Sequence, residues 1–312
     1  MSAIVATRAQ AGHQALSLDA DAYRSLAFAK IEDDVIWTRE WICIGVDEDI
    51  AGVGDLLPFT AGDHAVHVQR LASGRLAGRF NLAQHGGCRV VPLQCRQGAK
   101  TSCSFTSCGH SRDRPPLSAD ESNQPSPEMY QYLGLRPERL LGVRVAASGS
   151  LLFVHLNPAG GVFEAHRAQT IAGNTQTRQG NEWLELAGNW KHVGQRIAAG
   201  AMQPGEIDRC ASFESIDEPV RASWFFPNLI ILRHATSTCV VVLQPIALQR
   251  ALCRVSVYGP DSITQWREML FKRCESGYSH ADANDSRRWL EATLAARVAR
   301  HADPLSFNGY ET

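Results

Sequence analysis

The run Thr238–Gly259, "TCVVVLQPIALQRALCRVSVYG", most limits what this chain can fold into. It is dense in β-branched side chains, which lose rotamer freedom in a helix and fit a pleated, half-buried surface. The stretch "ASWFFPNLIILRH" just before it has the same character, and turn-forming residues bound both. A sheet is therefore expected in the second half of the chain. Two amphipathic segments follow, "DSITQWREMLFKRCESGY" and "DSRRWLEATLAARVARHA", which read as long C-terminal helices. Each opens on Asp-Ser, a pair that could supply the cap.

The first half has a different texture. Residues 18–45 read as a helical lead-in, with apolar residues every three or four positions through Trp37 and Trp41 and Ser17 or Asp19 available as a cap. From about residue 42 to 156 short apolar runs such as "HAVHVQR", "LAGRFNL", "LLGVRV" and "SLLFVHLNP" alternate with Gly, Pro and Asp, which predicts a small all-β domain. "RDRPPLSADESNQPSPEMY" reads as a surface loop, and the polar stretch 158–182 as a linker. The division predicted is a lead-in over 1–41, a β domain over 42–157, a linker over 158–182 and a second domain over 183–312. The fold class is α+β.

Charge excludes some partners. The 312 residues carry 31 basic and 32 acidic side chains, a net charge of -1, so nothing electrostatic favours nucleic acid or an anionic membrane. The opening residues lack the pattern of a signal peptide, and no apolar run approaches the ~18–20 residues of a membrane span. With nine irregularly spaced cysteines expected to stay reduced, a cytoplasmic location is predicted. No Gly-x-Gly-x-x-Gly, phosphate loop, Gly-x-Ser-x-Gly or His-Glu-x-x-His occurs.

The stretch Asn81–His110 holds four cysteines and two histidines in thirty residues. Cys88, Cys95, Cys103, Cys108, His85 and His110 include enough donors for a structural zinc ion, for example through Cys88, Cys103, Cys108 and His110. Only Cys103 and Cys108 approach a zinc-knuckle spacing, so reduced thiols in a metal-free loop are the competing reading.

Several segments, in order, resemble the oxygenase (alpha) subunits of Rieske non-heme iron oxygenases, the aromatic-ring-hydroxylating family. "IWTREWICIGVDEDIAGVGDLLPF" resembles the lead into their Rieske domain, "FNLAQHGGCRVV" and "AKTSCSFTS" its two ligand loops, and "GLRPERLLGVRVAASGSLLFVHLNP" its closing strands. "LAGNWKHVG" resembles the Asn-Trp-Lys entry to the catalytic domain and "WFFPNLIIL" a strand of its sheet. The resemblance covers residues 18 to 260. It implies a Rieske-like β domain followed by a helix-grip (Bet v1/START-like) antiparallel sheet with long C-terminal helices. It also implies a [2Fe–2S] cluster, an iron on two histidines and a carboxylate, and a trimer that passes electrons between subunits.

The residues at those stations differ from the pattern. The Cys-x-His pair falls on Ala83 and His85, and Cys-x-x-His on Cys103 and Thr106; the alternative pairing uses Ser107 and His110. Only two of four cluster ligands remain. The first iron histidine falls on Met202 or Gln203, the second on Ile207 or Asp208, and Arg196–Met202 has no carboxylate to bridge subunits, with Gly200 near its place. His192, His234, His280 and His301 are scattered, while Glu206 and Asp208 could hold a hard cation. Gly200 and Gly205 read as allowing a tight turn or close packing.

Three functions follow from the resemblance. The leading expectation is a catalytically inactive, cofactor-free accessory subunit, a pseudoenzyme that assembles with an active paralogue and stabilises or regulates it, in a hetero-oligomer built on the trimer. A second is a small-molecule-binding module whose helix-grip pocket is walled by Trp224, Phe225, Phe226, Leu229 and Ile231; the same residues read equally as core. The third is an active mono- or dioxygenase with a rebuilt iron site or with electrons from another protein's cluster.

Overall fold

The computed structural model describes residues 18–80, 115–126, 129, 140–164, 177–204, 209–215, 218–275 and 283–302. The lead-in forms two short helices, α1 (Asp21–Arg24) and α2 (Leu26–Glu32), and a π-helical turn over Asp33–Trp37. Ser25 caps α2 by accepting the Ala27 N–H. The N-cap of α1 is Ala20 rather than Asp19, with no side-chain cap, and Ser17 lies outside the described residues.

Six strands follow: β1 (Ile42–Val46), β2 (Leu56–Ala61), β3 (His64–Arg70), β4 (Leu76–Phe80), β5 (Gly142–Ser148) and β6 (Leu151–His155). They form an antiparallel sheet in the order β1-β6-β5-β4-β3-β2 that curls into a barrel-like unit. The four short apolar runs quoted above supply β3, β4, β5 and β6, whereas β1 begins inside the stretch read as a helical lead-in, where Ile42–Val46 is buried and pairs with β6 rather than being helical. β7 (Arg178–Ala187) begins inside the polar stretch read as a linker and becomes the edge of the second sheet.

The second sheet is also antiparallel, in the order β7-β13-β12-β11-β10-β9-β8. It comprises β8 (Ala201–Met202), β9 (Cys210–Glu214), β10 (Val220–Phe225), β11 (Leu229–His234), β12 (Ser237–Ala247) and β13 (Arg250–Tyr258). Thr238–Gly259 supplies its centre, with Val240, Val241, Val242, Val255 and Val257 buried. Helices α3 (Trp190–Ile197), α4 (Ile263–Cys274) and α5 (Ala283–Ala302) pack on one another and on the sheet. Ser262 caps α4 through a capping box with Gln265, as the Asp-Ser start suggests. The second Asp-Ser is not a cap. α5 begins at Ala283, so Asp285 and Ser286 lie within its first turns, and the Ser286 hydroxyl donates to the Gln195 carbonyl.

Two buried polar side chains join the sheets. The Asn228 carboxamide accepts the Cys43 N–H (3.0 Å) and donates to the Cys43 carbonyl (2.8 Å) and the Leu243 carbonyl (3.1 Å). The Arg254 guanidinium donates to the carbonyls of Pro58 (2.8 Å) and Ile44 (3.3 Å), and its charge lies over the rings of Phe59 and Trp183. Around them one continuous apolar cluster runs from Ile42 and Phe59 to Trp224 and Leu294.

Two outcomes test this construction. Asn228→Leu leaves both Cys43 backbone groups unpaired in the core, and it should cost about 2–4 kcal/mol in urea unfolding. On β3, burial pushes the His67 imidazole down to about 3, with Arg79 adding to the shift. The unfolded chain, titrating near 6.5, then binds more protons between those values, so stability falls as pH drops through that window. The loss from this residue is on the order of 4 kcal/mol between pH 7 and pH 3. Urea midpoints of His67→Leu should therefore depend less on pH than those of the parent chain.

Candidate functional site

The site is built around α3, which opens on Asn189-Trp190-Lys191. Asn189 caps the helix by accepting the Lys191 N–H, and its amide group donates to the carbonyls of Tyr23 (3.1 Å) and Leu248 (3.0 Å). The Trp190 indole N–H donates to one Glu32 oxygen (3.1 Å), and the Lys191 ammonium pairs with the other. Both charges are buried, and the ammonium lies among the rings of Tyr23, Phe28 and Trp190. Burial raises the Glu32 carboxyl above its ordinary value and lowers the Lys191 amine below its own, while each group opposes the other's shift. The Asn-Trp-Lys motif thus fastens the lead-in to the second domain.

One turn on, Gln195 donates to the Tyr23 hydroxyl (2.9 Å), which donates to Glu291 on α5 (2.8 Å). His192 stacks on the Tyr23 ring, with centroids 4.1 Å apart and planes 9° apart. α3 ends at Ile197, and the chain passes Gly200 against the neighbouring strand: a Cβ there would lie 2.6 Å from the Glu214 carbonyl oxygen. That close approach is the one expected of Gly200.

The chain then enters β8, where Met202 pairs with Phe213 of β9. Met202 is 40% exposed, and its N–H donates to Asp285 Oδ2 (3.1 Å). The other Asp285 oxygen faces Arg288 at 3.6 Å. Gln203 donates its N–H to the Ser212 carbonyl (2.8 Å) and its side-chain amide to the Ala201 carbonyl (3.2 Å). Asp285 is the residue that sequence reasoning missed. It lies 83 positions beyond Met202, and its Asp-Ser context resembles a cap.

The other candidates are apart. His234 pairs with Asp261 (3.0 Å) at the end of β11, and His301 lies in the last turn of α5. Ile207, Asp208, Glu206, Gly205 and His280 lie outside the described residues, as do Ala83, His85, Cys88, Cys95, Cys103, Thr106, Ser107, Cys108 and His110. Among the described residues no three His, Cys, Asp or Glu side chains converge on a common point. A non-heme iron triad needs two imidazoles beside its carboxylate. Among the described residues at these stations, Met202 and Gln203 offer a thioether and an amide and no imidazole, which does not fit such a triad; the second station, Ile207 or Asp208, lies outside the described residues.

Trp224, Leu229 and Ile231 are fully buried, and Phe226 nearly so. The Trp224 ring lies 5.4 Å from Trp289, its N–H donates to the Pro227 carbonyl (3.0 Å), and its six-membered ring abuts Gly194. A Cβ on Gly194 would come within 2.4 Å of that ring. The guanidinium of Arg297 covers Phe226 and pairs with Glu40.

No family model matches the chain. The glycine betaine monooxygenase oxygenase subunit of Pseudomonas aeruginosa is 26% identical over 127 residues, 41% of this chain. The match spans only 28% of the length of that curated relative. Among solved structures, the quaternary ammonium Rieske monooxygenase CntA in complex with L-carnitine superposes with a TM-score of 0.59 at 12% identity, covering 89% of this chain and 94% of that one. Naphthalene 1,2-dioxygenase from Rhodococcus sp. gives 0.50 at 13% identity, covering 92% and 83%. The fold is therefore that of Rieske oxygenase alpha subunits, a barrel-like β domain and an antiparallel sheet with C-terminal helices.

Because Trp224 fills the space beside α3, Gly194→Ala should overpack the interior and cost about 1–3 kcal/mol. Combining it with Trp224→Leu should recover part of the loss in a double-mutant cycle by urea unfolding.

Proposed function

We propose that this chain descends from Rieske non-heme iron oxygenase alpha subunits, performs no oxygenation itself, and assembles with an active, metal-bearing paralogue that it stabilises or regulates. The observation that carries this reading is Met202. Where the resemblance calls for the first iron histidine, at Met202 or Gln203, the chain has a thioether or an amide, and the carboxylate that α5 brings to Met202 is engaged by its backbone N–H and Arg288. Among the described residues His192 and His234 do not converge with other His, Cys, Asp or Glu side chains, which counts against a rebuilt iron site there. The burial of Trp224, Leu229 and Ile231 favours the core reading of those residues over a ligand pocket.

The physical motive is that surfaces between subunits can outlast the ligands inside them. A partner that binds only the folded form raises its stability by mass action. Co-expression with a metal-bearing paralogue from the same genome, followed by affinity purification and size exclusion, tests the reading. We expect a mixed oligomer, trimer-based, in which the paralogue yields more soluble protein than when expressed alone. A stable homo-oligomer that leaves the paralogue behind contradicts it.

A further inference from the structure

A cavity of about 120 Å³ lies where the lead-in meets the second sheet, and it shares no lining residue with Met202, Asp285 or Trp224. Leu26 and Ala29 of α2, Ile246 and Ala247 at the end of β12, and Leu248 in the turn to β13 are among its lining residues. Trp37 and Trp190 are also among its lining residues, their indoles packed edge to face on each other, centroids 5.3 Å apart, and almost wholly buried. Leu26 is 37% exposed, so the cavity reaches the surface beside α2.

Its size is of the same order as the ~150 Å³ dry cavity that admits benzene in an apolar protein interior. Leu26, Ala29, Pro245, Ile246, Ala247 and Leu248 make the lining mostly apolar, which suits an apolar ring. The charged group on the wall is Glu32, and it selects against ions. Lys191 already matches its charge, so an ionic guest would add a third buried charge with no counter-ion. Both Glu32 oxygens keep acceptor capacity beyond their bonds to Trp190 and Lys191, so a single hydroxyl or N–H on the guest can be met.

We infer that this cavity is a binding site for a small uncharged molecule of about one ring, aromatic or alicyclic, carrying at most one hydrogen-bond donor. None of Met202, Gln203 or Asp285 lines the site, so the assignment does not rest on whether the chain is an oxygenase or an accessory subunit.

Calorimetric titration of the full chain with phenol, indole and cyclohexanol, beside benzylammonium and benzoate, tests this directly. The uncharged probes should saturate a single site and bind at least tenfold more tightly than the two ions. Ala29→Phe, which places a ring in the cavity, should weaken that binding at least tenfold with an unchanged circular-dichroism spectrum. If Ala29→Phe fails to fold, Ala247→Leu fills the cavity from another side and gives the same readout. Absence of saturable binding, ions that bind as well as neutral probes, or a filled cavity that binds as before would each overturn the assignment.

Discussion

The buried pairing of Lys191 with Glu32 sets the arrangement on which the rest of the site depends. An isolated ion pair in an apolar interior is weak evidence of stability, because desolvation offsets much of the attraction. Its geometric consequence is sharper. Shifting α2 by one turn would strand an ammonium among Tyr23, Phe28 and Trp190 and a carboxylate in the core, at a cost of several kcal/mol. The lead-in therefore docks in one register. That docking brings Tyr23 to Gln195, His192 and Glu291, and so locks α3 to α5. The same register shapes the cavity between α2 and the β12–β13 connection.

From that locked helix the chemistry of the second domain can be followed. α3 delivers the chain to β8, and α5 brings Asp285 to the same place. Around Met202, where the resemblance expects the first iron histidine, backbone pairing and packing hold the elements together. The Met202 N–H takes up the carboxylate, Gly200 presses against the Glu214 backbone, and Trp224 fills the space next to Gly194. Each contact anchors one element to another. A fold can keep such contacts, and the subunit surfaces that rest on them, after its reaction is lost.

Much of the fold was legible in the sequence because it rests on local chemistry. β-branched density marked β12 and β13, short apolar runs marked β3 to β6, and the Asp-Ser pair marked the start of α4. What stayed hidden depends on distant partners. Nothing near Glu32 announces that it will be buried against a lysine 159 positions away. Asp285 resembles a helix cap until α5 is seen to begin two residues earlier, which frees its carboxylate for Met202. Asn228 and Arg254 likewise look like ordinary polar residues, although they join the two sheets. The Asn-Trp-Lys motif was visible through the resemblance, but its role as an anchor for the lead-in was not.

The proposed loss of function requires that the chain bind neither iron nor zinc. The direct measurement is elemental analysis for iron and zinc, with a visible absorbance spectrum, on chain purified from iron-replete cells under reducing, oxygen-free conditions. We predict less than a tenth of an equivalent of either metal and no visible charge-transfer bands. Stoichiometric iron, or the spectrum of a [2Fe–2S] cluster, would contradict the account.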